Sequence, residues 1–422
     1  MIRKFKLAVI NLLGVPPDRG ALDTLRTMRH PAQERLSTWC DHAGISVYLL
    51  DRLQSRHLAS ALPESFRDQL QIRAVANAQR TQELLADFAL VNNALGESDV
   101  PYLVLKGISL VPDFCTQPEQ RHQTDLDFWV EPGRLQDAIA ALTPLGYSTY
   151  GTLDSGTVTL TSRPTESISR HESIYKAGRP RKIELHTRLL EDTEPVNLQY
   201  RLSALRPAVR SRVRNLEFPT LALPDRFLFQ VLHAFQHVIG GWARLAWLYE
   251  TSSCLTRHAD DTALWQQVVE PLREDEKLRN AVGLTLEIVR NIFRTPIPEA
   301  LRFGCTDALP EQIPLWARHF ALQFALSGLS GNKNVLLVKQ VFVADRRVWR
   351  EFLFRALVPR KTSHAIRESR GKSAKPTWSN RRDQLAFIWF RLAYHMRSLA
   401  VYPVNWLRWQ YALRQLPRSH AS

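Results

Sequence analysis

Two neighbouring stretches decide the fold of this chain: Val104–Ser109, which reads VLKGIS, and Arg121–Val130, which reads RHQTDLDFWV. The first predicts a strand that ends in a tight glycine turn and leads into a short helix, and the second predicts another strand. Successive strand side chains point to opposite faces, so Asp125 and Asp127 share one face. Two carboxylates on one face repel each other unless a cation lies between them, and a divalent metal is the usual candidate. The pattern therefore predicts metal-dependent, phosphoryl-type chemistry.

The composition is that of an ordinary globular protein with two or three structural units. The chain has 422 residues, of which 45% are hydrophobic and 23% are charged. Its four cysteines are far apart and form no C-x-x-C pair, which argues against a disulfide framework or a structural zinc site. We therefore expect a reducing, cytoplasmic environment. No stretch reaches the roughly eighteen uncharged apolar residues of a membrane span.

The charge of the chain is distributed unevenly. The net charge is +15, and residues 331–422 alone contain 19 Lys and Arg against 4 Asp and Glu. Residues 1–330 hold the remaining 37 basic and 37 acidic side chains, so that part of the chain is electrically balanced. The C-terminal region therefore carries the whole excess, which predicts a contact with an anionic partner.

Hydrophobic residues at three- and four-residue spacing predict helices over about 20–97 and again from 195 onward. In the second region the clearest predicted helices cover 262–294, 311–328, 344–357 and 383–414. Asp225, which follows Pro224, is predicted to cap a helix whose apolar stripe begins at Phe227. The segment 360–382 is rich in Lys, Arg, Ser and Gly and predicts an exposed linker.

Between these helical regions, short apolar runs bounded by turn residues predict an α/β unit. Its predicted strands cover 102–106, 124–130, about 156–161, 171–176 and 181–187, with a helix at 133–143. The predicted parts of the chain are a helical region at 1–98, an α/β core at 99–192, a helical domain closing the cleft at 193–330, and a basic, aromatic-rich helical region at 331–422.

Several motifs follow one another in a characteristic order over roughly residues 35–255. They are the LKG turn at 105–107, Arg121 ahead of the DLD motif at 125–127, the LGY turn at 145–147, the KIELH strand at 182–186 and the helical segment 227–250. In these motifs the chain resembles the bacterial uncharacterised nucleotidyltransferase family of the DNA polymerase β-like superfamily. The resemblance implies an α+β fold, in which a small mixed β-sheet core is embedded in mostly helical N- and C-terminal extensions.

The resemblance also implies a reaction and a cofactor. A nucleoside monophosphate would pass from an NTP, with ATP as the expected donor, to an unidentified hydroxyl or phosphate acceptor, and pyrophosphate would be released. In such enzymes two Mg²⁺ ions are held by three carboxylates. Asp125 and Asp127 match two of these ligands. Glu184 fits the third, although Glu172 stands on a neighbouring predicted strand.

Four further residues are expected to bind the nucleotide. Lys106 ends a strand at the Gly107 turn, where its ammonium could reach the triphosphate and the turn would allow close approach of the backbone. Ser109 stands one place later than the turn serine of the superfamily, which puts its phosphate contact in doubt. Arg121 could either neutralise phosphate charge or pair with Asp125.

Three histidines are candidates for the substrate cleft. His186 lies two residues after Glu184 and shares its face, so it could support a metal ligand, contact the substrate or be a buried structural residue. His233 and His237 share one helical face, the geometry of a zinc pair, but the Glu of the H-E-x-x-H motif is absent. These two residues are therefore expected to line the cleft or to be ordinary core or surface histidines.

Aromatic residues and arginines alternate in the C-terminal region 331–422. The pattern suits an anionic membrane surface, a nucleic acid or a protein partner, and it also suits a helical hairpin packed on the body. Two further functions stay open: a non-catalytic nucleotide-binding or scaffold protein of a biosynthetic complex, and a nucleic-acid-binding protein acting through this region. The expected location is cytoplasmic, peripheral to the inner face of the membrane if the region binds lipid.

Overall fold

The computed structural model describes most of the chain. The described residues are 2–153, 156–162, 174–175, 178, 181–190, 194–198, 200, 206–327, 333–357 and 378–416. The predicted linker at 360–382 and the predicted strand at 171–176 lie largely outside these residues, and Glu172 lies outside them too.

A mixed sheet of seven strands forms the centre of the described structure. The strands are β1 (Tyr102–Val104), β2 (Asp125–Val130), β3 (Ser148–Leu153), β4 (Thr157–Thr161), β5 (Lys182–His186), β6 (Val209–Val213) and β7 (Leu216–Thr220). They lie in the order β3-β4-β5-β2-β1-β7-β6. The β2–β5 and β1–β7 pairs are parallel, and the other pairs are antiparallel. This mixed sheet with helical extensions confirms the predicted α+β class.

Helices precede, interrupt and follow the sheet. Before it lie α1 (Ile2–Leu13), α2 (Ala21–Arg26), α3 (His30–Ala43), α4 (Ser46–Gln54) and α5 (Glu64–Glu97), and within it lies α6 (Leu135–Leu142). After it lie α7 (Leu223–Ile239), α8 (Leu245–Arg257), α9 (Thr262–Val269), α10 (Glu276–Phe293), α11 (Glu299–Gly304), α12 (Gln312–Ser327), α13 (Val335–Lys339), α14 (Arg346–Leu357) and α15 (Trp378–Arg414).

The long helix α5 packs against one face of the sheet. Its Phe88 is fully buried, stacks on Phe128 of β2 at 5.9 Å between ring centroids and meets Phe218 of β7 edge-on at 5.3 Å. Because β2 alternates, Phe128 and Leu126 point to this face while Asp125 and Asp127 point to the other. One strand therefore builds the core with one face and presents its carboxylates on the opposite face.

Three strands, which lie at the two ends of the strand order, were not predicted from the sequence. Residues 209–220, which were expected to be helical, form the β6–β7 hairpin. Its two-residue turn places Arg214 at a positive φ of 56°, and β7 then pairs in parallel with β1, where the Thr220 hydroxyl donates to the Val104 carbonyl at 2.8 Å. Pairing with an existing strand satisfies backbone groups that local sequence alone leaves undecided. Strand β3 was also not predicted.

Asp225 is not the N-cap of α7. Ala222 occupies that position, and Asp225 lies in the first helical turn, where it is fully buried. Its carboxylate accepts hydrogen bonds from the Arg206 guanidinium at 2.8 Å and the Tyr200 hydroxyl at 3.1 Å. The acidic side chain still lies at the positive end of the helix, but it anchors the preceding segment.

Truncation of Phe88 tests the packing of α5 on the sheet. Phe88→Ala would leave a cavity between Phe128 and Phe218, so we expect it to lower the free energy of unfolding by about 3–5 kcal/mol. Leu90→Ala is the matched control on the same helix, since Leu90 is 57% exposed, and it should change stability by less than about 0.5 kcal/mol. Denaturant unfolding measures both. Equal losses in the two variants would contradict this packing.

Candidate active site

A cavity of about 420 Å³ opens on the sheet face that carries Asp127. Strands β2 and β5 form its base, and residues of α7, α8 and their connection form the opposite wall. The lining residues include Lys106, Arg121, His122, Gln123, Asp125, Asp127, Glu184, His186, His233, Gln236, His237, Trp242, Arg244 and Trp247. The structure thus brings together all but two of the predicted site residues, and the two that lie outside this lining are Gly107 and Ser109.

The carboxylates meet because β2 and β5 run in parallel. Asp127 and Glu184 are register partners, and their side chains extend from the same face of the sheet. The ligand atoms of Asp127, Glu184 and His186 lie within 4.8 Å of one another. Among the described residues, this is the group of three whose spacing suits a metal ion, and Asp125 stands beside it on the same strand face.

His186 is fixed from both sides of its ring. The Thr157 hydroxyl lies 3.1 Å from its Nδ1, and its Nε2 lies 3.1 Å from the Asp127 carboxylate and 3.6 Å from that of Glu184. An Nε2–H that donates to Asp127 leaves Nδ1 to accept from Thr157, so both contacts are satisfied by one neutral tautomer. The arrangement orients Asp127 and makes His186 a partner of the carboxylates.

Lys106 reaches the same carboxylate from the turn that follows β1. Its Nζ donates to Asp127 Oδ1 at 3.1 Å, and its backbone adopts a positive φ of 41°. Such a conformation is strained for a residue with a side chain and costs on the order of 1–3 kcal/mol. Burial acts to lower the pKa of Lys106, but the charges of Asp127, Glu184 and Asp125 raise it above its ordinary value. The ammonium is therefore held charged.

The pKa values of the two aspartates of β2 are shifted in opposite directions. Burial acts to raise the pKa of Asp127, but Lys106 and His186 hold it well below its usual range. Burial and the neighbouring charge of Asp127 both raise the pKa of Asp125, only partly offset by Lys106. Asp127 therefore has its cation, whereas Asp125 keeps a repulsion that is only partly compensated and that a bound cation would relieve.

Arg121 pairs with Glu250 and not with Asp125. Its Nε donates to Glu250 Oε1 at 2.9 Å, and the same oxygen accepts the Tyr48 hydroxyl at 2.7 Å. Glu250 is fully buried, and its second oxygen accepts from the Gln230 amide at 3.1 Å. A fixed carboxylate thus neutralises Arg121 while the arginine lines the cavity.

Gly107 and Ser109 shape the turn below the cavity. Gly107 has a φ of 55°, and a Cβ at this position would lie 2.1 Å from the Gln123 side chain, so the turn admits only glycine without rearrangement. Ser109 is fully buried, its hydroxyl donates to the Lys106 carbonyl at 2.9 Å, and its own carbonyl accepts from Arg226. Both residues therefore support the position of Lys106.

Aromatic rings form the wall opposite the carboxylates. His237 packs against His233, Trp242 and Trp247, with ring centroids 4.4, 4.2 and 4.4 Å away. Arg244 lies over the Trp247 ring at 5.9 Å. The cleft was one of two positions predicted for His233 and His237, whereas Trp247 and Arg244 were not among the predicted site residues. The only local signal was the WARLAW run at 242–247, which begins five residues after the second histidine.

The cavity combines acidic oxygens on one side with cations and rings on the other. Oxygen ligands from aspartate and glutamate suit Mg²⁺, and the repulsion at Asp125 fits the same ion. Lys106 and Arg244 can neutralise phosphate oxygens, and Arg121, which is already paired with Glu250, can donate hydrogen bonds to them. The aromatic wall can stack against a planar or sugar ring. The donor set therefore fits a divalent metal together with a phosphate-bearing substrate.

The buried histidines predict acid sensitivity. Burial lowers the pKa of His237 and of His122 to about 3, from an ordinary value of 6.5. Their neutral forms therefore stabilise the fold fully above pH 6.5, and this contribution is lost as the pH falls towards 3. His237→Gln should reduce the proton uptake on unfolding in this window by about one. Urea unfolding at a series of pH values gives the free energy of unfolding as a function of pH, whose slope reports the proton uptake. Identical slopes for His237→Gln and the unaltered protein would contradict the assignment.

Comparison with known proteins gives a family for the chain. A family model described as uncharacterised nucleotidyltransferase matches residues 30–294, more than half of the sequence. The crystal structure of an antigenic nucleotidyltransferase-like protein from Paracoccidioides brasiliensis is similar with 11% identity, over 48% of this chain and 92% of that chain. Its TM-score of 0.28 is too low to support an argument. The curated proteins gave no match. On the family match, the chain belongs to the uncharacterised nucleotidyltransferase family.

Proposed function

We propose that the protein transfers a nucleoside monophosphate from an NTP, with ATP as the expected donor, to a hydroxyl or phosphate acceptor. One observation supports this most directly: the parallel register sets Asp127 beside Glu184 on one face, with the Lys106 ammonium 3.1 Å from Asp127. In the reaction an acceptor oxygen forms a bond to the α-phosphorus, the bond between that phosphorus and the bridging oxygen of the β-phosphate breaks, and pyrophosphate leaves.

Asp125, Asp127 and Glu184 would hold the metal, which we expect to be two Mg²⁺ ions. When bound, such ions stabilise charge on the attacking and leaving oxygens. His186 and Thr157 hold Asp127 in position. With a metal bound to Asp127, Lys106 would be free to turn its ammonium towards a phosphate oxygen.

The arginines of the cavity differ in their role because they differ in their partners. Arg121 is neutralised by Glu250, so it donates hydrogen bonds without adding a free charge. Among the described residues, Arg244 forms no ion pair; burial lowers its pKa, and the charge of Asp125 opposes this shift most strongly. We assign to Arg244 the neutralisation of a substrate phosphate that faces the aromatic wall.

The aromatic wall of the cavity favours one class of acceptor. The wall of His233, His237, Trp242 and Trp247 offers ring faces, and none of these four side chains carries a permanent charge. A molecule with a sugar or planar ring next to its hydroxyl would pack there better than a linear polar chain.

Removal of a carboxylate tests the proposed metal ligands. Asp127→Asn and Glu184→Gln keep the shape of the side chains but weaken metal binding, and the loss of several kcal/mol of transition-state stabilisation lowers the rate on the order of a thousandfold. Glu274→Gln replaces an exposed carboxylate outside the cavity and is the matched control. Release of labelled pyrophosphate from NTP and Mg²⁺, with pooled candidate acceptors, measures the rate. Equal rates for Asp127→Asn and the unaltered protein would refute the assignment.

The same experiment distinguishes nucleotidyl transfer from the first alternative function. A non-catalytic nucleotide-binding or scaffold protein would bind NTP in this cavity but release no pyrophosphate with any acceptor. Lys106→Met should weaken nucleotide binding under either function, because both place the triphosphate beside that ammonium.

For the C-terminal region we propose attachment to an anionic membrane surface. Large apolar side chains of α15 recur at steps of three or four residues, with exposed Ala400 completing the series, and are between 49% and 70% exposed: Leu385, Trp389, Leu392, Met396, Val404, Leu407 and Tyr411. At 100° per residue they fall within about 120° of arc, as a stripe about 40 Å long.

The opposite face of α15 is attached to the body. Trp409 is buried against Phe320, with ring centroids 6.2 Å apart, and the Asn405 amide donates to Asn334 at 2.9 Å. The exposed stripe is therefore a second apolar face, beyond the one that folding uses. Such a face, if left in water, requires a partner.

The charge of α15 favours lipid as that partner. The helix contains six arginines and one aspartate, and no helix among the described residues is long and apolar enough to cross a membrane. A cationic helix with an apolar stripe and aromatic residues lies in the interface of an anionic bilayer. The repulsion between two such helices disfavours a second copy, and nucleic acid would leave the stripe uncovered. We accordingly propose a cytoplasmic protein at the inner membrane face.

Cosedimentation with vesicles tests this attachment. The protein should bind vesicles of phosphatidylglycerol and phosphatidylcholine more tightly than vesicles of phosphatidylcholine alone. Trp389→Asp should weaken this binding by about tenfold or more. The substitution removes apolar area that the bilayer would bury, and it places a negative charge next to the anionic lipid. Ile72→Asp on α5 is the matched control, since Ile72 is 69% exposed and Trp389 is 70% exposed. Unchanged binding by Trp389→Asp would exclude the stripe, and salt-sensitive binding to RNA instead would favour the nucleic-acid alternative.

A further inference from the structure

A second cavity, of about 450 Å³, lies between α1, α4, α8 and the loop at 114–120. It is about as large as the candidate active site and shares no lining residue with it. Leu13, Phe114 and Cys115 form a buried apolar floor. Most of the other lining residues are polar, and a cavity that combines an apolar part with polar groups has the character of a ligand site.

Hydroxyl groups line much of the wall: Tyr48, Ser55, Thr116, Tyr249, Ser252, Ser253 and Thr256. Some of their protons are already used within the chain. The Ser253 hydroxyl donates to the Tyr249 carbonyl at 3.0 Å, and the Thr256 hydroxyl donates to the Ser252 carbonyl at 2.8 Å. Their oxygens keep free lone pairs, which can accept hydrogen bonds from the hydroxyls of a ligand.

Arginines gather at this cavity without carboxylate partners. Arg52 and Arg257 line it, and Arg19 and Arg56 lie close by. Within the described part of the chain none of the four forms an ion pair, although exposed Asp51 also lines the cavity. Among the residues that the structure describes, the Arg52 guanidinium donates only to the Gly14 carbonyl, at 3.3 Å, and its buried Nε has no hydrogen-bond partner. Burial, followed by the charges of Arg52 and Arg19, lowers the pKa of Arg56.

Like charges held together with unsatisfied donors favour an anion, and the hydroxyl-lined wall favours a polyol. We propose that the second cavity binds a small phosphate-bearing polyol of the sugar phosphate class, with Arg52 and Arg257 on the phosphate. A phosphate is preferred to a carboxylate because two arginines from different helices can each bind separate oxygens of it.

The occupant would lie near the candidate active site without entering it. Tyr48 forms part of the wall of the second cavity, and its hydroxyl donates to the same Glu250 oxygen that accepts from Arg121. Arg121 in turn lines the first cavity. A ligand in contact with Tyr48 is thus two hydrogen bonds away from an arginine of the other site.

Isothermal titration calorimetry at constant ionic strength tests the proposal, with glucose 6-phosphate, inorganic phosphate and glucose as probes. Glucose 6-phosphate should bind more tightly than inorganic phosphate, and glucose more weakly than either. Arg257→Gln should weaken binding of glucose 6-phosphate about tenfold or more, because it removes one charge-assisted contact. Arg273→Gln replaces an exposed arginine that lines neither cavity, and it should leave the affinity for glucose 6-phosphate unchanged.

Lys106→Met locates the binding, because it alters only the first cavity. Binding that survives Lys106→Met and is weakened by Arg257→Gln supports the second cavity. Binding that is lost with Lys106→Met and kept with Arg257→Gln would overturn the proposal, as would the absence of any binding by the unaltered protein. Neither NTP nor metal is present, so the result does not depend on whether the protein is a nucleotidyltransferase.

Discussion

The parallel pairing of β2 with β5 places two carboxylates side by side, that of Asp127 buried and that of Glu184 partly exposed to the cavity. Buried charges of one sign are costly unless cations and hydrogen-bond donors are built around them. The surrounding structure supplies these groups from separate elements: Lys106 from the end of β1, His186 from β5 and Thr157 from β4. Even the strained backbone at Lys106 is understandable on this basis, because it brings an ammonium to the point of highest negative charge.

The period of two along β2 links this charged site to the core. Leu126 and Phe128 are fixed against α5 by close packing, so Asp125 and Asp127 have little freedom on the other face. A shift of the strand by one residue would exchange the two faces and bury both aspartates in the core. The packing of α5 is therefore also what makes the geometry of the carboxylates reproducible.

Local pattern was enough to predict what one strand can carry. The alternation predicted that Asp125 and Asp127 share one face of their strand and that Glu184 and His186 share one face of theirs. That Glu184 joins the aspartates was implied by the family resemblance, and the register of β2 and β5 sets it beside Asp127. Contacts between distant parts were beyond it. Glu250 lies 129 residues from Arg121, and the hairpin at 209–220 depends on a parallel partner that precedes it by more than a hundred residues. Nothing local distinguishes such a strand from a short helix, because the deciding hydrogen bonds are tertiary.

Glu250 has a consequence for how the chain must fold. Its two oxygens gather the Tyr48 hydroxyl of α4, the Arg121 guanidinium of the loop before β2 and the Gln230 amide of α7. Without the Arg121 segment the buried Glu250 carboxylate would lose its counter-charge, and without either of the others it would lose a hydrogen-bond donor, at a cost of about 1–5 kcal/mol. The smallest cooperative unit therefore reaches from α4 through α8, well beyond the sheet. This is consistent with a family match that begins at residue 30 and continues to residue 294.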